Sequence, residues 1–338
     1  MLNKFINKFN KLNLLHKIFI IFLILVFSYL VVNKDFFIRN SIENFEDDDD
    51  EYKNQQFKKK FKINYNNDCY DQYYCKFYDK IYLNEDKNNY EVNIVNELLN
   101  KNKNKNIILD IGSGTGHHVN KLNNIENVDI TGLDKSQSMV FKARNNFPDC
   151  KFNKGDILDY KDFDYNSFTH ILCLGLTVYH IKDKSLFFEN CYNLLNFNGK
   201  LLLHLVDHEN FEPYVIQNDK SIVYNPNNYI KKNITEMIVK IDGDNEFYTK
   251  YELLNKKDNL NKEKEHNVNQ ELPYSMYREK FENFRTNYVR KNEINLFMSP
   301  IDEILKLAEN KGFEFKKRYS MDEIDHFNQF LYCFVKNE

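Results

Sequence analysis

The sequence predicts an α/β fold, a mostly parallel sheet with helices on both faces. Three observations predict it. Short apolar runs alternate with helical patterns between Ile107 and Val206. A glycine-rich turn, Gly112-Ser113-Gly114-Thr115-Gly116, directly follows the first run. An acid stands at or just after the end of each of the first three runs: Asp110, Asp134 and Asp156. In parallel sheets, ligands bind at this carboxyl edge.

The elements follow in order. Residues 1–17 form a basic tail carrying Lys4, Lys8, Lys11 and Lys17. Ile18 to Val32 reads IFIIFLILVFSYLVV, fifteen residues without a charge. As a helix it covers roughly 22 Å, and Leu12, Leu14 and Leu15 extend its apolar face toward the ~30 Å hydrocarbon core while Lys17 snorkels. No small-residue cleavage site follows, so the segment reads as an uncleaved transmembrane anchor, with the membrane as a partner. The positive-inside rule places the N-terminus in the cytosol. The side on which the folded part lies stays open, because that rule puts it across the membrane from the cytosol. Residues 33–60 read as an acidic flexible linker.

Residues 61–207 read as the core with an N-terminal helical lid. Tyr70, Tyr73, Tyr74, Phe77, Tyr78, Ile81 and Tyr82 are spaced by threes and fours, which predicts a helix with one aromatic face. Tyr90 to Leu99 continues helically. Ile107-Ile108-Leu109 is a buried parallel strand. Val128–Leu133, Phe152, Thr169–Leu174 and Lys200–Val206 supply further strands. Ser136–Asn145, with Ser136 as N-cap, and Leu186–Leu195 supply helices. Residues 208–290 break the rhythm and read as an insertion, partly β, with strand-like alternation at 234–240, 246–254 and 288–297. Tyr248, Tyr251, Tyr274 and Tyr277 are candidates to line it. Residues 291–338 return to the core through the helix Ile301–Asn310 and the strands Phe313–Tyr319 and Gln329–Val335.

Composition narrows the function. Across 338 residues the formal charge is −3, which lacks the cationic footprint of a nucleic-acid binder, so no nucleic acid is expected. Aromatics at 15% supply material for a large core. Six cysteines show no CxxC or Cys/His spacing, so no metal is expected. Cys173 and Cys333 read as buried thiols; a Cys69–Cys75 disulfide stays open.

Chemistry enters at the glycine turn. Glycines there let a ligand approach the backbone. An acid just before the turn, Asp110, repels a pyrophosphate and welcomes an ammonium or sulfonium. Asp134 is placed to accept ribose hydroxyls, and Asp156 to accept from an exocyclic amine. The segments ILDIGSGTG, TGLDKSQSMVFKAR, KGDILDY and LLNFNGKLLLHLV resemble, in order, the motif series of class I S-adenosylmethionine-dependent methyltransferases. The resemblance implies a Rossmann-like seven-stranded sheet with a C-terminal antiparallel strand. It also implies S-adenosyl-L-methionine as cofactor. By position, Asp110, Gly112, Gly114 and Gly116 hold its methionine end, Asp134 its ribose and Asp156 its adenine amine, with Met139 packed on the adenine; Ser113, Lys135, Ile157 and Leu174 are further cofactor-binding candidates. The segment YDQYYCKFYD resembles the family's lid, which makes Tyr70, Tyr74 and Tyr78 lid residues. The whole chain also resembles methyltransferase-domain proteins of large DNA viruses.

After the fourth core strand, Leu174-Gly175-Leu176-Thr177-Val178-Tyr179-His180 stands where the family builds its acceptor wall. His180 and Tyr179 are the candidate catalytic bases. The segment lacks (N/D)PP(Y/F) and Pro-Cys, which together with the near-neutral charge argues against a DNA enzyme. A small molecule, a lipid or a protein stays open. Two rivals remain: a membrane-tethered, non-catalytic scaffold, and a nicotinamide-dependent oxidoreductase, although Gly112-x-Gly114-x-Gly116 departs from G-x-G-x-x-G.

Overall fold

The structure is a computed structural model. It describes residues 60–100, 105–159, 163–210, 221–224, 234–241, 243–253 and 275–337. The expected anchor at 18–32 and Tyr274 lie outside the described residues. Among the described residues no helix is long and apolar enough to cross a membrane.

The chain begins with β1 (Lys60–Tyr65), a 3-10 turn at Asn66–Cys69, and the short helices α1 (Gln72–Cys75) and α2 (Tyr78–Tyr82). The single aromatic helix read over 70–82 is therefore divided. Asp71 caps α1, accepting from the amides of Tyr73 and Tyr74, and Asn84 caps the next helix by accepting from Lys87. These polar caps outcompete one continuous helix, because each satisfies amides that a helix start leaves free. Then follow α3 (Glu85–Leu98), β2 (Asn106–Ile111), α4 (His117–Asn123), β3 (Val128–Asp134), α5 (Gln137–Asn146), β4 (Lys151–Lys154), β5 (Phe168–Cys173), α6 (Thr177–His180), α7 (Lys184–Leu194) and β6 (Leu195–Val206). Ser136 caps α5, its hydroxyl accepting from Met139 N at 3.1 Å.

The insertion carries β7 (Ser221–Tyr224), β8 (Ile234–Lys240), β9 (Asn245–Leu253), β10 (Ser275–Asn283) and β11 (Tyr288–Leu296). The core resumes at α8 (Ile301–Asn310), β12 (Phe313–Ser320) and β13 (Gln329–Lys336). A seven-stranded sheet runs β12-β13-β6-β5-β2-β3-β4. Its neighbours from β6 to β4 are parallel, while β13 is antiparallel to both β6 and β12. This is the mixed α/β sheet the sequence predicts.

Period-two alternation explains its burial on both faces. Leu109, Ile171 and Leu203 pack with Phe187, Phe188 and Cys191 of α7 on one face. Ile108, Ile130, Leu172 and Leu202 pack with α3, α4 and α5 on the other, through Val95, Val119 and Val140.

A second sheet runs β1-β11-β10-β9-β8-β7. It corrects two boundaries. Residues 288–296 belong wholly to this sheet rather than to the returning core. Strand β1, placed by the sequence in linker and lid, pairs in parallel with β11, from Lys60 opposite Tyr288 to Tyr65 opposite Glu293. Phe247, Phe281 and Ile294 of this sheet join the same apolar cluster as α7 and β5. The Phe297 amide donates to the Tyr179 carbonyl at 2.7 Å, fastening the returning chain to the core. All six cysteines are free. Left-handed turns fall at Asn66, Asn127, Asn166, Asn198, Asn287, Asp325 and Asn328.

Candidate functional site

One cavity of about 1180 Å³ opens at the carboxyl edge of β2, β3, β4 and β5. Its walls include α1, α2, α3, β10 and β11. That volume exceeds the roughly 300–1,000 Å³ of a single small-molecule pocket.

The glycine turn forms part of the wall. Gly112 has φ +71°, and a Cβ there would sit 2.4 Å from Thr177 Cγ2. Gly114 has φ +55° and faces open space, with Tyr78 Cε1 3.9 Å from its ideal Cβ. The Ser113 hydroxyl is buried against Gly132 of β3 with no partner among the described residues. Gly116 starts α4 with φ +92°.

Asp110, at the end of β2, is 3% exposed and lines the cavity. Among the described residues it meets no cation at ion-pair distance. Burial pushes its carboxyl up to about 7, against a pull from His118. His118 itself is engaged with Glu91 at 2.7 Å. Asp134 accepts from Gly114 N at 2.9 Å and from Ser136 N at 2.8 Å. Burial raises its pKa while those two amides oppose the rise. A carboxylate offers about four acceptor sites, so it keeps capacity for hydroxyls.

Asp156 departs from expectation. Its Oδ2 pairs with Lys135 Nζ at 2.8 Å, and its Oδ1 accepts from Leu158 N at 3.0 Å. Lys135 is thus placed on Asp156, because both stand at the ends of the adjacent strands β3 and β4. Met139, Ile157 and Leu174 are buried and line the cavity. Met139 Sδ lies 3.5 Å from Cys75 Sγ of α1.

The lid is tied to the glycine turn: Thr115 Oγ1 donates to Asp79 Oδ1 at 2.5 Å, and His117 stands 3.4 Å from the same carboxylate. Tyr70, Tyr74 and Tyr78 all line the cavity. Tyr74 is 2% exposed, and its hydroxyl donates to Glu279 at 2.8 Å.

His180 is exposed to the cavity and meets the Tyr70 ring edge-on at 6.0 Å between centroids. The protein around the ring strips part of its hydration, and with Lys184 nearby its pKa is lowered. The imidazole is therefore neutral at pH 7, the form that accepts a proton. Tyr179 is corrected. It is fully buried, does not line the cavity, and its hydroxyl accepts from Val206 N at 2.9 Å. It bolts α6 to the end of β6. In the insertion, Tyr277 reaches the cavity, while Tyr251 is buried behind it with ring centroids 5.1 Å apart.

Sequence reasoning missed Glu279 and Tyr82, both in the wall. Glu279 lies outside the stretches whose sequence reads as strand-like alternation. The signal that could have found it is its spacing, two residues from Tyr277 and two from Phe281, which puts it on their side of β10.

These residues fit S-adenosylmethionine. A buried carboxyl at Asp110 awaits a cation, Gly114 leaves the backbone bare, and Asp134 retains acceptor capacity. A family model described as a methyltransferase domain matches residues 101–280. Among solved structures, DesVI of Streptomyces venezuelae is 15% identical, with 77% of this chain and 97% of that one covered and a TM-score of 0.52. An S-adenosylmethionine-dependent methyltransferase from Clostridium acetobutylicum is 14% identical, with 80% and 100% covered and a TM-score of 0.50. The S-adenosylmethionine-bound amino pentose methyltransferase CalS10 of Micromonospora echinaspora is 15% identical, with 75% and 91% covered and a TM-score of 0.49. At these identities the likeness is one of fold. No curated protein matches the chain.

Proposed function

The chain belongs to the methyltransferase-domain family, with S-adenosylmethionine as cofactor, and from that premise we propose that it is a membrane-anchored enzyme methylating an acceptor held between its two sheets. The observation that carries this reading is the cavity itself. Its lining joins the cofactor-type residues Asp110, Gly114 and Asp134 to Tyr277 and Glu279 of β10 and Ile294 of β11.

The cofactor supplies an activated methyl on a sulfonium. The protein's own part is binding, orientation and exclusion of water. Asp110 meets the cationic methionine end, Asp134 the ribose hydroxyls, and Met139 with Ile157 an apolar surface for the base. Asp156 reaches an exocyclic amine only by sharing its carboxylate with Lys135. The second sheet and α1–α2 close the acceptor side. His180 is the proton acceptor for an acceptor group that carries a proton.

The position of Asp110 also bears on the oxidoreductase reading. A buried carboxylate beside the turn repels a pyrophosphate. Anchoring rests on the uncharged run 18–32.

Calorimetric titration of the full chain in mild detergent with S-adenosylmethionine tests the cofactor site. Micromolar binding is expected, with loss in Asp110→Ala and Asp134→Ala. Absence of binding by folded protein refutes the reading. Turnover on acceptor extracts separates an enzyme from a scaffold that binds the cofactor idly. Retention of the chain in membranes after alkaline carbonate washing tests the anchor, and release of residue 18–32 deletions confirms its address.

A further inference from the structure

Tyr70, Tyr74, Tyr78 and Tyr82 line one side of the cavity. Their rings touch in series, with centroids 5.3, 5.8 and 5.2 Å apart. Facing them is Glu279 of β10, 1% exposed, the one acid that the second sheet contributes to the lining among the described residues. Tyr74 and Tyr82 donate their hydroxyls to Glu279 Oε1, the former at 2.8 Å, and Asn292 Nδ2 donates to Oε2 at 2.9 Å.

None of those donors is charged. The cation in Coulombic reach is Arg290, and its guanidinium is committed elsewhere. It donates to Asp71 at 2.7 Å, to the Cys69 carbonyl at 2.7 Å and to Asn292 Oδ1 at 2.9 Å. Glu279 thus has no cation at ion-pair distance among the described residues, and burial raises its pKa despite its three hydrogen bonds.

A buried carboxylate walled by aromatic rings has a definite selectivity. It attracts a positive charge directly, and each ring face adds a cation–π contribution. An acidic or phosphorylated ligand is repelled. The pocket is continuous with the cofactor side: Tyr70 meets His180, and Tyr78 faces Gly114.

We propose that the Glu279 carboxylate and the Tyr70–Tyr82 rings form a binding site for an organic ammonium group, which makes the methyl acceptor an amine. This rests on the methyltransferase reading above. A primary or secondary ammonium sheds one proton before its nitrogen attacks; one N–H bond breaks on the substrate and another forms on the neutral imidazole of His180, beside Tyr70, while Glu279 keeps its charge. The nitrogen then bonds the methyl carbon as the carbon–sulfur bond breaks, the electron pair staying on sulfur. The exposed His180 returns its proton to solvent.

The test is binding, without turnover. Full chain in mild detergent is titrated calorimetrically with 2-phenylethylammonium and with its neutral counterpart 2-phenylethanol. The ammonium is expected to bind at least tenfold more tightly. Glu279→Gln keeps the size and the oxygen that accepts from Tyr74 and Tyr82, loses the bond from Asn292, and should erase that preference. Tyr82→Leu removes one ring and should weaken the ammonium severalfold, so the site is tested even if one variant does not fold. Equal binding of the two probes by the wild type overturns the proposal, as does a preference that survives in folded Glu279→Gln. S-adenosylmethionine affinity, measured on the same samples, separates the two readings. Intact cofactor binding without ammonium preference sinks only the amine site, whereas lost cofactor binding sinks the methyltransferase reading.

Discussion

Replacing Asp110 by Asn should make the cofactor-free protein more stable and a worse binder at once. A free carboxyl titrates near ~3.9. In the fold Asp110 stands at about 7, chiefly through burial. The difference is about three pH units, worth roughly 4 kcal/mol at about 1.36 kcal/mol per unit. The sign follows from linkage. Between pH 4 and 7 the folded state holds a proton that the unfolded state has lost, so stability falls as pH rises through that window and is level above it. Asn does not titrate, so the variant escapes that loss. Its amide brings a desolvation cost of ~1–3 kcal/mol. The net expectation at pH 8 is a gain of about 1–3 kcal/mol, and below pH 4 a small loss. The assay is urea unfolding of cofactor-free wild type and Asp110→Asn at pH 5 and pH 8, with calorimetric titration of S-adenosylmethionine alongside. Cofactor affinity should fall at least tenfold, because a neutral amide no longer meets a cationic end. If the stability difference between variant and wild type is the same at both pH values, Asp110 is not a desolvated carboxyl and the reasoning fails.

Other expectations are as direct. Gly112→Ala puts a Cβ 2.4 Å from Thr177 Cγ2 at φ +71°, and should cost more than about 2 kcal/mol in thermal unfolding. Adding Thr177→Ala should recover part of that but not the backbone strain. Tyr179→Phe removes the partner of Val206 N and should destabilise by ~1–3 kcal/mol; a fall in kcat with unchanged stability would instead make Tyr179 catalytic. Lys135→Met frees Asp156, so cofactor affinity should hold or tighten; a threefold loss would assign Lys135 to the cofactor. Arg290→Met takes the donor from the Cys69 carbonyl, while Asp71 keeps Lys62 at 3.0 Å and the amides of Tyr73 and Tyr74, and should destabilise by about 1–3 kcal/mol in denaturant, with α1 the first segment to exchange its amides.

The seven-stranded sheet was legible because its central strands are buried on both faces. Such strands read as unbroken apolar runs, and Ile107-Ile108-Leu109 or Leu201-Leu202-Leu203 admit little else. Ser136 as a cap was legible for a local reason, the hydroxyl three residues before Met139. The pairing of β1 with β11 was not. Asn64 and Asn292 are far apart in the sequence, and parallel partners leave no mark on each other's local pattern. The division of the aromatic stripe was hidden by its own periodicity. Tyr70, Tyr74, Tyr78 and Tyr82 keep one side even when the helix between them is broken. At the site, the acids Asp110 and Asp134 stand where strand ends put them. The Lys135–Asp156 pair depends on two strand ends lying side by side, which spacing along the chain does not reveal.

The left-handed turns carry a consequence for which substitutions this chain can absorb. Among the described residues six left-handed positions are asparagine, so glycine is not this sequence's sole solution to a positive φ. Gly114 and Gly175 nevertheless keep glycine at φ +55° and +59°, where a Cβ would meet nothing closer than 3.9 Å. Both line the cavity. An asparagine at either position is compatible with folding by the chain's own precedent, and its side chain would occupy ligand space instead. Selection for a stable fold is therefore blind at these two positions, and selection for occupancy is not. A library screened first for soluble, folded protein and then for cofactor binding should pass Gly114→Asn and Gly175→Asn at the first gate and discard them at the second.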